Sequence, residues 1–159
     1  MEDWRADRIG SAIRGTNPTV MARLPAAFAV MGDVQWLPGY CVLLVDRPGV
    51  GGLTDFDSEG RRQYLASMAT LGDAVESACR AADDGFRRLN LDILGNTDEF
   101  LHAHVWPRYG WEPAERVRKP VWLYPAEFWT LPSLRLGPQH DQLRAAITTE
   151  LVRLGASAV

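Results

Sequence analysis

Residues 100–109 read Phe-Leu-His-Ala-His-Val-Trp-Pro-Arg-Tyr and hold two of the three histidines in this chain of 159 residues. A short apolar and aromatic run that ends near a proline is typical of a β-strand. Alternate side chains of a strand point to the same face. One face of this strand is therefore predicted to carry Phe100, His102, His104 and Trp106. The residues between them are predicted to face the core.

Two neighbouring imidazoles on the open face of a strand allow three interpretations. They can be structural residues that only satisfy their own hydrogen bonds, which is the default for an isolated histidine. They can ligate zinc or iron, because His-x-His on a strand supplies two ligands. Such a site needs a third ligand, and the only other histidine, His140, lies in a later polar stretch. They can also be catalytic, with one imidazole attacking phosphorus and the other stabilising charge or moving protons.

The residues around the pair resemble a known signature. Residues 90–97 (NLDILGNT) and 101–109 (LHAHVWPRY) are similar to the signature of the histidine triad (HIT) family, in which three histidines alternate with apolar residues before Pro-Arg. His102 and His104 match the second and third histidines, whereas Phe100 stands in place of the first.

An upstream segment supports the same resemblance. Residues 28–45 (FAVMGDVQWLPGYCVLLV) resemble the family's strand, Pro-Gly turn and strand, with Tyr40 where a further supporting histidine is usual. The two segments occur in the family's order, are separated by a predicted helix, and together span about residues 17–111. Because both segments agree, the catalytic interpretation of the histidine pair is preferred.

The resemblance implies a nucleotide hydrolase or nucleotidyl transferase similar to the dinucleoside polyphosphate hydrolases of the family. In the family's chemistry, His102 would attack the α-phosphorus of the nucleotide and form a nucleotidyl-histidine, which water or another acceptor then opens. His104 would hydrogen-bond a phosphate oxygen and stabilise charge in the transition state. This scheme implies neither a metal nor another cofactor.

Phe100 and Tyr40 leave two alternatives open. Because both replace supporting histidines, the hydrogen bonds around the catalytic pair must differ from the family's pattern. One alternative is a nucleotide-binding protein without turnover. The other, a metal-dependent His-x-His enzyme, ranks below it because the sequence shows no evident third ligand.

Six further residues are candidates for substrate contacts: Met31, Asp33, Asn90, Asn96, Thr97 and Arg108. The resemblance places a ribose-binding residue next to Asp33, and Met31 is expected to flank the base. The loop that holds Asn96 and Thr97 can offer N–H groups and a hydroxyl to a phosphate, although Gly-Asn is also ordinary turn chemistry. Arg108 either contacts phosphate or anchors the end of its strand.

The composition indicates one globular domain over residues 1–159. The resemblance implies a HIT-like core at about 17–111 and an extension at about 112–159. The net charge of −3 argues against a broad nucleic-acid surface. We expect no membrane span, because no apolar run is long enough. Cys41 and Cys79 lie in apolar patterns and are typical of reduced thiols in a cytoplasmic protein.

Periodicity predicts an antiparallel α+β fold, and the resemblance makes it a HIT-like five-stranded sheet with a long helix packed on it. The predicted elements are a helix in 2–14, strands at 19–24, 28–33, 40–46, 88–94 and 101–108, the long helix at 57–82 and a closing helix at 141–154. Prolines and aromatics before the closing helix predict an extended arm. The arm either packs on the body of the domain without a further role, or its tryptophans wall the substrate site or line the seam of a homodimer: Trp111, Trp122 and Trp129.

Overall fold

The computed structural model describes residues 3–159. Across these residues, an antiparallel sheet has six strands: β1 (Val20–Leu24), β2 (Ala27–Met31), β3 (Cys41–Val45), β4 (Phe86–Asp92), β5 (His102–Tyr109) and β6 (Ser157–Ala158). Their spatial order is β4-β5-β3-β2-β1-β6. The predicted α+β class and antiparallel sheet are confirmed, whereas the predicted number of five strands is wrong.

The sixth strand comes from the last residues of the chain. Gly155 has a φ of 98° and turns the chain after the closing helix, a conformation that only glycine adopts at little cost. Ser157 and Ala158 then pair with Arg23 and Ala22 on the free edge of β1. Two small residues carry no strand pattern of their own, so this strand exists only through tertiary pairing.

Three α-helices occur within the described residues: α1 (Arg8–Ile13), α2 (Ser58–Ala82) and α3 (Asp141–Arg153). The first is shorter than predicted, and the start predicted at residue 2 lies outside the described part. Asp57 caps α2 by accepting a hydrogen bond from the Gly60 N–H at 2.7 Å. The buried hydroxyl of Tyr64 donates to the Leu43 carbonyl at 2.8 Å, which fixes α2 to the centre of the sheet. None of the helices in residues 3–159 is long and apolar enough to cross a membrane.

The arm before α3 is not extended as predicted. Within the described residues it contains four short 3₁₀ turns: Val121–Leu123, Ala126–Trp129, Pro132–Leu134 and Pro138–His140. A proline precedes or opens each turn. Because proline fixes φ near −65° and needs no donor, it suits the start of a helical turn as well as an extended segment.

The arm is fastened to the sheet by aromatic packing and by one buried ion pair. Trp36 lies in the loop between β2 and β3, and its ring centroid is 4.7 Å from that of Trp129. Glu112 pairs with Arg108 of β5 at 2.9 Å and accepts the hydroxyl of Tyr124 at 2.6 Å. These contacts hold residues 112–129 beside β5 and form one wall of the cavity described next.

Candidate active site

The histidine pair of β5 faces a cavity of about 460 Å³ on the side of the sheet opposite α2. Phe100, His102 and His104 line this cavity. Ala103 and Val105 point the other way and are fully buried. The alternation predicted from the sequence is therefore present in the structure.

His102 is oriented by the main chain. Its Nδ1 lies 2.8 Å from the carbonyl oxygen of Phe100. A carbonyl oxygen can only accept a hydrogen bond, so Nδ1 carries the proton and donates it. The lone pair of the neutral ring then resides on Nε2. This tautomer is the one that a nucleophilic imidazole requires.

His104 is oriented by a side chain. Its Nδ1 lies 2.8 Å from the hydroxyl oxygen of Tyr40. Burial, with a smaller effect from His102, lowers the pKa of His104 to about 4, so the ring is neutral near pH 7. Burial also raises the pKa of Tyr40, so the phenol keeps its proton. When the phenol donates to Nδ1, the Nε2–H of His104 becomes a neutral donor.

Three parts of the chain complete the cavity. The sheet contributes an apolar floor: Val30, Val42 and Leu44. The loop between β4 and β5 contributes a polar edge: Asn96, Thr97 and Asp98. The arm contributes two aromatic rings: Trp122 and Trp129. A concave site of this size with a few polar groups is typical of small-molecule binding.

Comparison with known proteins identifies the architecture. No protein-family profile matches the sequence, and no curated protein matches it significantly. A histidine triad protein from Sinorhizobium meliloti matches over 94% of this chain and 96% of its own, with a TM-score of 0.68 at 17% identity. A histidine triad protein from Bradyrhizobium japonicum matches over 83% and 89%, with a TM-score of 0.66 at 19% identity. The chain has the histidine triad fold.

The same fold is found in a protein described as a hypothetical histidine triad nucleotide-binding protein from Sulfolobus tokodaii. The match covers 92% of this chain and 91% of that protein, with a TM-score of 0.61 at 15% identity. Identities this low establish the architecture of the chain. The chemistry must therefore be argued from the side chains that line this chain's own cavity.

Tyr40, which stands in place of a supporting histidine of the histidine triad signature, is structurally coupled to Gly32. The ring of Tyr40 stacks on Trp106 with centroids 3.5 Å apart and planes inclined by 5°. A Cβ atom added to Gly32 would collide with the Tyr40 ring. The tyrosine thus occupies the space that a side chain at position 32 would need. A tyrosine at position 40 therefore requires a glycine at position 32 in this chain.

Four of the six predicted substrate contacts line the cavity together with the histidines: Met31, Asp33, Asn96 and Thr97. The side chain of Met31 does not face the cavity as predicted, because Met31 pairs with Cys41 and Cys41 pairs with Val105, which places all three on the opposite face of the sheet. Asp33 is already engaged, because Arg8 donates to its two carboxylate oxygens at 2.7 and 3.3 Å. The ion pair with Arg8 of α1 therefore sets the orientation of the Asp33 carboxylate.

Asn90 and Arg108 lie elsewhere. The Arg108 guanidinium is buried and is satisfied by Glu112, by the Asn90 side-chain oxygen at 2.7 Å and by two arm carbonyls. Of the two roles predicted for Arg108, the structure places it as an anchor of the strand end and of the arm. Asn90 supports that anchor and does not line the histidine cavity.

Arg8 is a cavity residue that sequence reasoning missed. It lies in α1, 25 positions before its partner Asp33. A charged residue in a short amphipathic helix has the pattern of an ordinary surface residue, and no spacing links the two positions. Only the tertiary packing of α1 across the end of β2 brings the guanidinium into the cavity.

Within residues 3–159, no group of three or more histidine, cysteine or acidic side chains is arranged to hold a metal ion. His102 and His104 have ring centroids 4.9 Å apart. The Nδ1 atom of each ring is already engaged, in one case by a carbonyl and in the other by a phenol. The described residues therefore supply no third metal ligand beside the Nε2 atoms of the two rings.

Proposed function

We propose that this protein is a HIT-family nucleotide hydrolase or nucleotidyl transferase that uses His102 as its nucleophile. The observation that carries the proposal is the hydrogen bond from His102 Nδ1 to the Phe100 carbonyl, which leaves the Nε2 lone pair available to a ligand. The fold and the nucleotide-binding description of the Sulfolobus tokodaii protein support a nucleotide as the ligand.

The first step of the proposed reaction forms a bond between His102 Nε2 and the α-phosphorus. The bond from phosphorus to the leaving group breaks, and its electron pair departs with that group. The imidazole gains positive charge, which the Phe100 carbonyl stabilises through the Nδ1–H hydrogen bond. Water then attacks phosphorus and loses a proton to solvent, and the electron pair of the P–N bond returns to Nε2.

His104 acts on the phosphate rather than on phosphorus. Its neutral Nε2–H donates to a non-bridging oxygen and stabilises the charge that develops there in the transition state. Tyr40 takes over the support that a histidine gives in the family's signature, since its hydroxyl holds His104 Nδ1 at 2.8 Å. Tyr40 and Phe100, which stand in place of two histidines, therefore change how His102 and His104 are supported without removing that support.

The nucleoside lies over the apolar floor formed by Val30, Val42 and Leu44. Asp33, held by Arg8, accepts hydrogen bonds from the ribose, and the Asn96–Thr97 loop contacts the phosphate. An apolar floor with a fixed carboxylate at its edge suits a flat base joined to a hydroxylated sugar. Ribose binding by Asp33 is supported by its place in the cavity wall.

The second candidate is a nucleotide-binding protein without turnover. The observation that favours it is Phe100, whose ring lies 5.2 Å from that of His102 and cannot replace the hydrogen bonds of a histidine. The two candidates agree on the ligand and differ on whether a product forms.

A nucleotide screen in ¹⁸O-water separates the two candidates. Thermal stabilisation identifies the derivative that binds, and mass analysis follows its products. The enzyme puts one ¹⁸O atom into the released nucleoside monophosphate, because water attacks the α-phosphorus. Stabilisation without product over many hours establishes the binding protein instead, and label only in the leaving group contradicts attack at the α-phosphorus.

We also propose a homodimer, as the family resemblance implies. The support is the free edge strand β4, where Leu91 is 44% exposed, together with the exposed Ile93 and Leu94 just beyond it. Such an edge favours pairing with a second strand. Light scattering at micromolar concentration should give twice the chain mass, and a monomer mass would reject the proposal.

The proposed compartment is the cytoplasm. Cys41 and Cys79 are both free and buried, and burial raises the pKa of each thiol. Buried thiols without a disulfide suit a reducing environment.

A further inference from the structure

Asp92, the last residue of β4, lies directly beside the histidine pair. In the pairing of β4 with β5, Asp92 is opposite His104. Directly paired residues of an antiparallel sheet point to the same face, with Cβ atoms about 4.5–5.5 Å apart. The Asp92 side chain therefore lies on the face of the sheet that carries His102 and His104, on the side of β5 away from β3.

The surroundings of Asp92 leave its carboxylate without a partner. Asp92 is partly buried, and its side chain forms no hydrogen bond or ion pair with another residue of 3–159. Arg108 lies on the same face of β5, but its guanidinium is held by Glu112, by Asn90 and by two carbonyls of the arm. A partly buried carboxylate without a partner lowers stability, and such groups are common at functional sites.

The cavity that Asp92 lines adjoins the histidine cavity. It has a volume of about 630 Å³ and lies between β4 and residues 117–122 of the arm. Trp122 lines both cavities and marks their junction. The apolar floor proposed for the nucleoside lies on the other side of β5, on β2 and β3. The side towards β4 is therefore left for the reactant that opens the nucleotidyl-histidine.

The groups that hold the phosphate and the ribose cannot take a proton from that reactant. After the first step His102 is bonded to phosphorus through Nε2 and still donates from Nδ1. The Nε2 atom of His104 is a donor, because its Nδ1 accepts from Tyr40. Asp33 is paired with Arg8 at the ribose end of the cavity. Attack by water releases a proton, so another group must accept it.

Two carboxylates near the site remain, Asp98 and Asp92. Asp98 lies in the loop between β4 and β5, where its side chain is exposed. Asp92 is placed by the strand pairing at a fixed position opposite His104, and groups on strands are held more precisely than groups on loops. Burial raises the pKa of Asp92, with Arg108 opposing that effect. A raised pKa makes its carboxylate the stronger base.

We infer that Asp92 is the general base that activates water in the second step of the proposed reaction. The inference rests on the proposed function and adds a catalytic residue to it. The water lies between the Asp92 carboxylate and the phosphorus bonded to His102. Its oxygen forms the new bond to phosphorus while its proton passes to Asp92. The P–N bond breaks, its electron pair returns to Nε2, and Asp92 then releases the proton to solvent.

The test separates the two steps of the reaction in Asp92→Asn, which keeps the shape of the side chain and removes the base. A dinucleoside tetraphosphate is mixed with the protein, and samples quenched in base report the nucleotide on His102 and the released products. The first step needs no base, so its rate should stay within about twofold of the wild type. Hydrolysis of the adduct should slow by about 10²–10⁴. The nucleotide should therefore accumulate on His102.

Asp84→Asn is the matched control. Asp84 is an exposed carboxylate in the turn before β4 and lines neither cavity. This variant removes the same charge and should leave both rates unchanged. Urea unfolding adds a readout that a structural role would move. Asp92→Asn should unfold at the same or a higher urea concentration than wild type, because a neutral amide replaces a partly buried charge without a partner.

The outcomes distinguish the inference from the proposed function. Equal hydrolysis of the adduct in Asp92→Asn and wild type overturns the inference and leaves His102 as the nucleophile. Equal slowing of both steps together with lower stability also overturns it, because Asp92 would then support the fold. If the wild-type protein forms neither adduct nor product, the proposed function has failed and the inference fails with it.

Discussion

His102 and His104 lie two residues apart on β5 and face the same cavity, yet different parts of the molecule hold them. The main chain holds His102, through the carbonyl of Phe100 on its own strand. A side chain holds His104, through the Tyr40 hydroxyl at the start of the neighbouring strand. Backbone support survives any substitution at position 100, whereas side-chain support depends on the residue at position 40. This difference explains how the site can lose two histidines of the family's pattern and keep its geometry.

The largest effect is expected at the histidine with main-chain support. His102→Ala removes the nucleophile, so turnover should fall below detection while nucleotide binding remains, because binding uses the floor, Asp33 and the loop. Steady-state kinetics and thermal stabilisation by nucleotide measure the two properties separately. His140→Ala is the matched control, since His140 lies in the arm and not in the cavity wall. Equal turnover in His102→Ala and His140→Ala would refute the mechanism.

His104→Ala should lower the rate of turnover less than His102→Ala does. The substitution removes one donor to the developing charge, so kcat should fall by about 10²–10³. Single-turnover kinetics checks this, because it isolates the chemical step. A loss as complete as that of His102→Ala would mean that His104 takes part in bond formation.

The pH dependence of stability isolates His104. Its pKa is about 4 in the folded protein, mainly through burial, against about 6.5 for an unperturbed histidine. Between these values the unfolded chain binds the proton and the folded chain does not, so stability is lost as pH falls from about 6.5 to 4. The contribution is at most about 3 kcal/mol. The free energies of unfolding of wild type and His104→Gln, measured with urea, should diverge between about pH 6.5 and 4. Parallel pH profiles would contradict the assignment of this effect to His104.

Tyr40→Phe should give the smallest effect, because it removes only the side-chain support. The ring keeps its stack on Trp106, and the loss of one neutral hydrogen bond should lower kcat about threefold to tenfold. Tyr64→Phe is the control: it loses a hydrogen bond to Leu43 on the α2 side of the sheet, so it should lower stability and leave kcat unchanged. Equal kcat in Tyr40→Phe and wild type would show that His104 needs no support from Tyr40.

The sequence predicts those features that depend on local pattern. The alternation in 100–106 predicts which side chains of β5 share a face, and the Asp57 cap with its apolar stripe predicts α2 almost to the residue. The family resemblance brings His102 and His104 together with Asp33 and the Asn96–Thr97 loop.

The features that sequence reasoning missed depend on contacts between distant segments. The ion pair of Arg8 with Asp33 arises only when elements pack, and so does the requirement of the Tyr40 ring for a glycine at position 32. The pairing of β6 with β1 has the same origin. The arm is a different case: its prolines fit both an extended segment and a 3₁₀ turn, and packing on Trp36 selects the turns.

The central claim is that a neutral His102 forms a bond to the α-phosphorus. The most direct test is a brief reaction with a dinucleoside polyphosphate, quenched in base because phosphoramidates of histidine are labile in acid, followed by intact-mass and peptide analysis. The account predicts one added nucleoside monophosphate group on His102, present in His140→Ala and absent in His102→Ala. An adduct on another residue, or product formation that continues in His102→Ala, would contradict it.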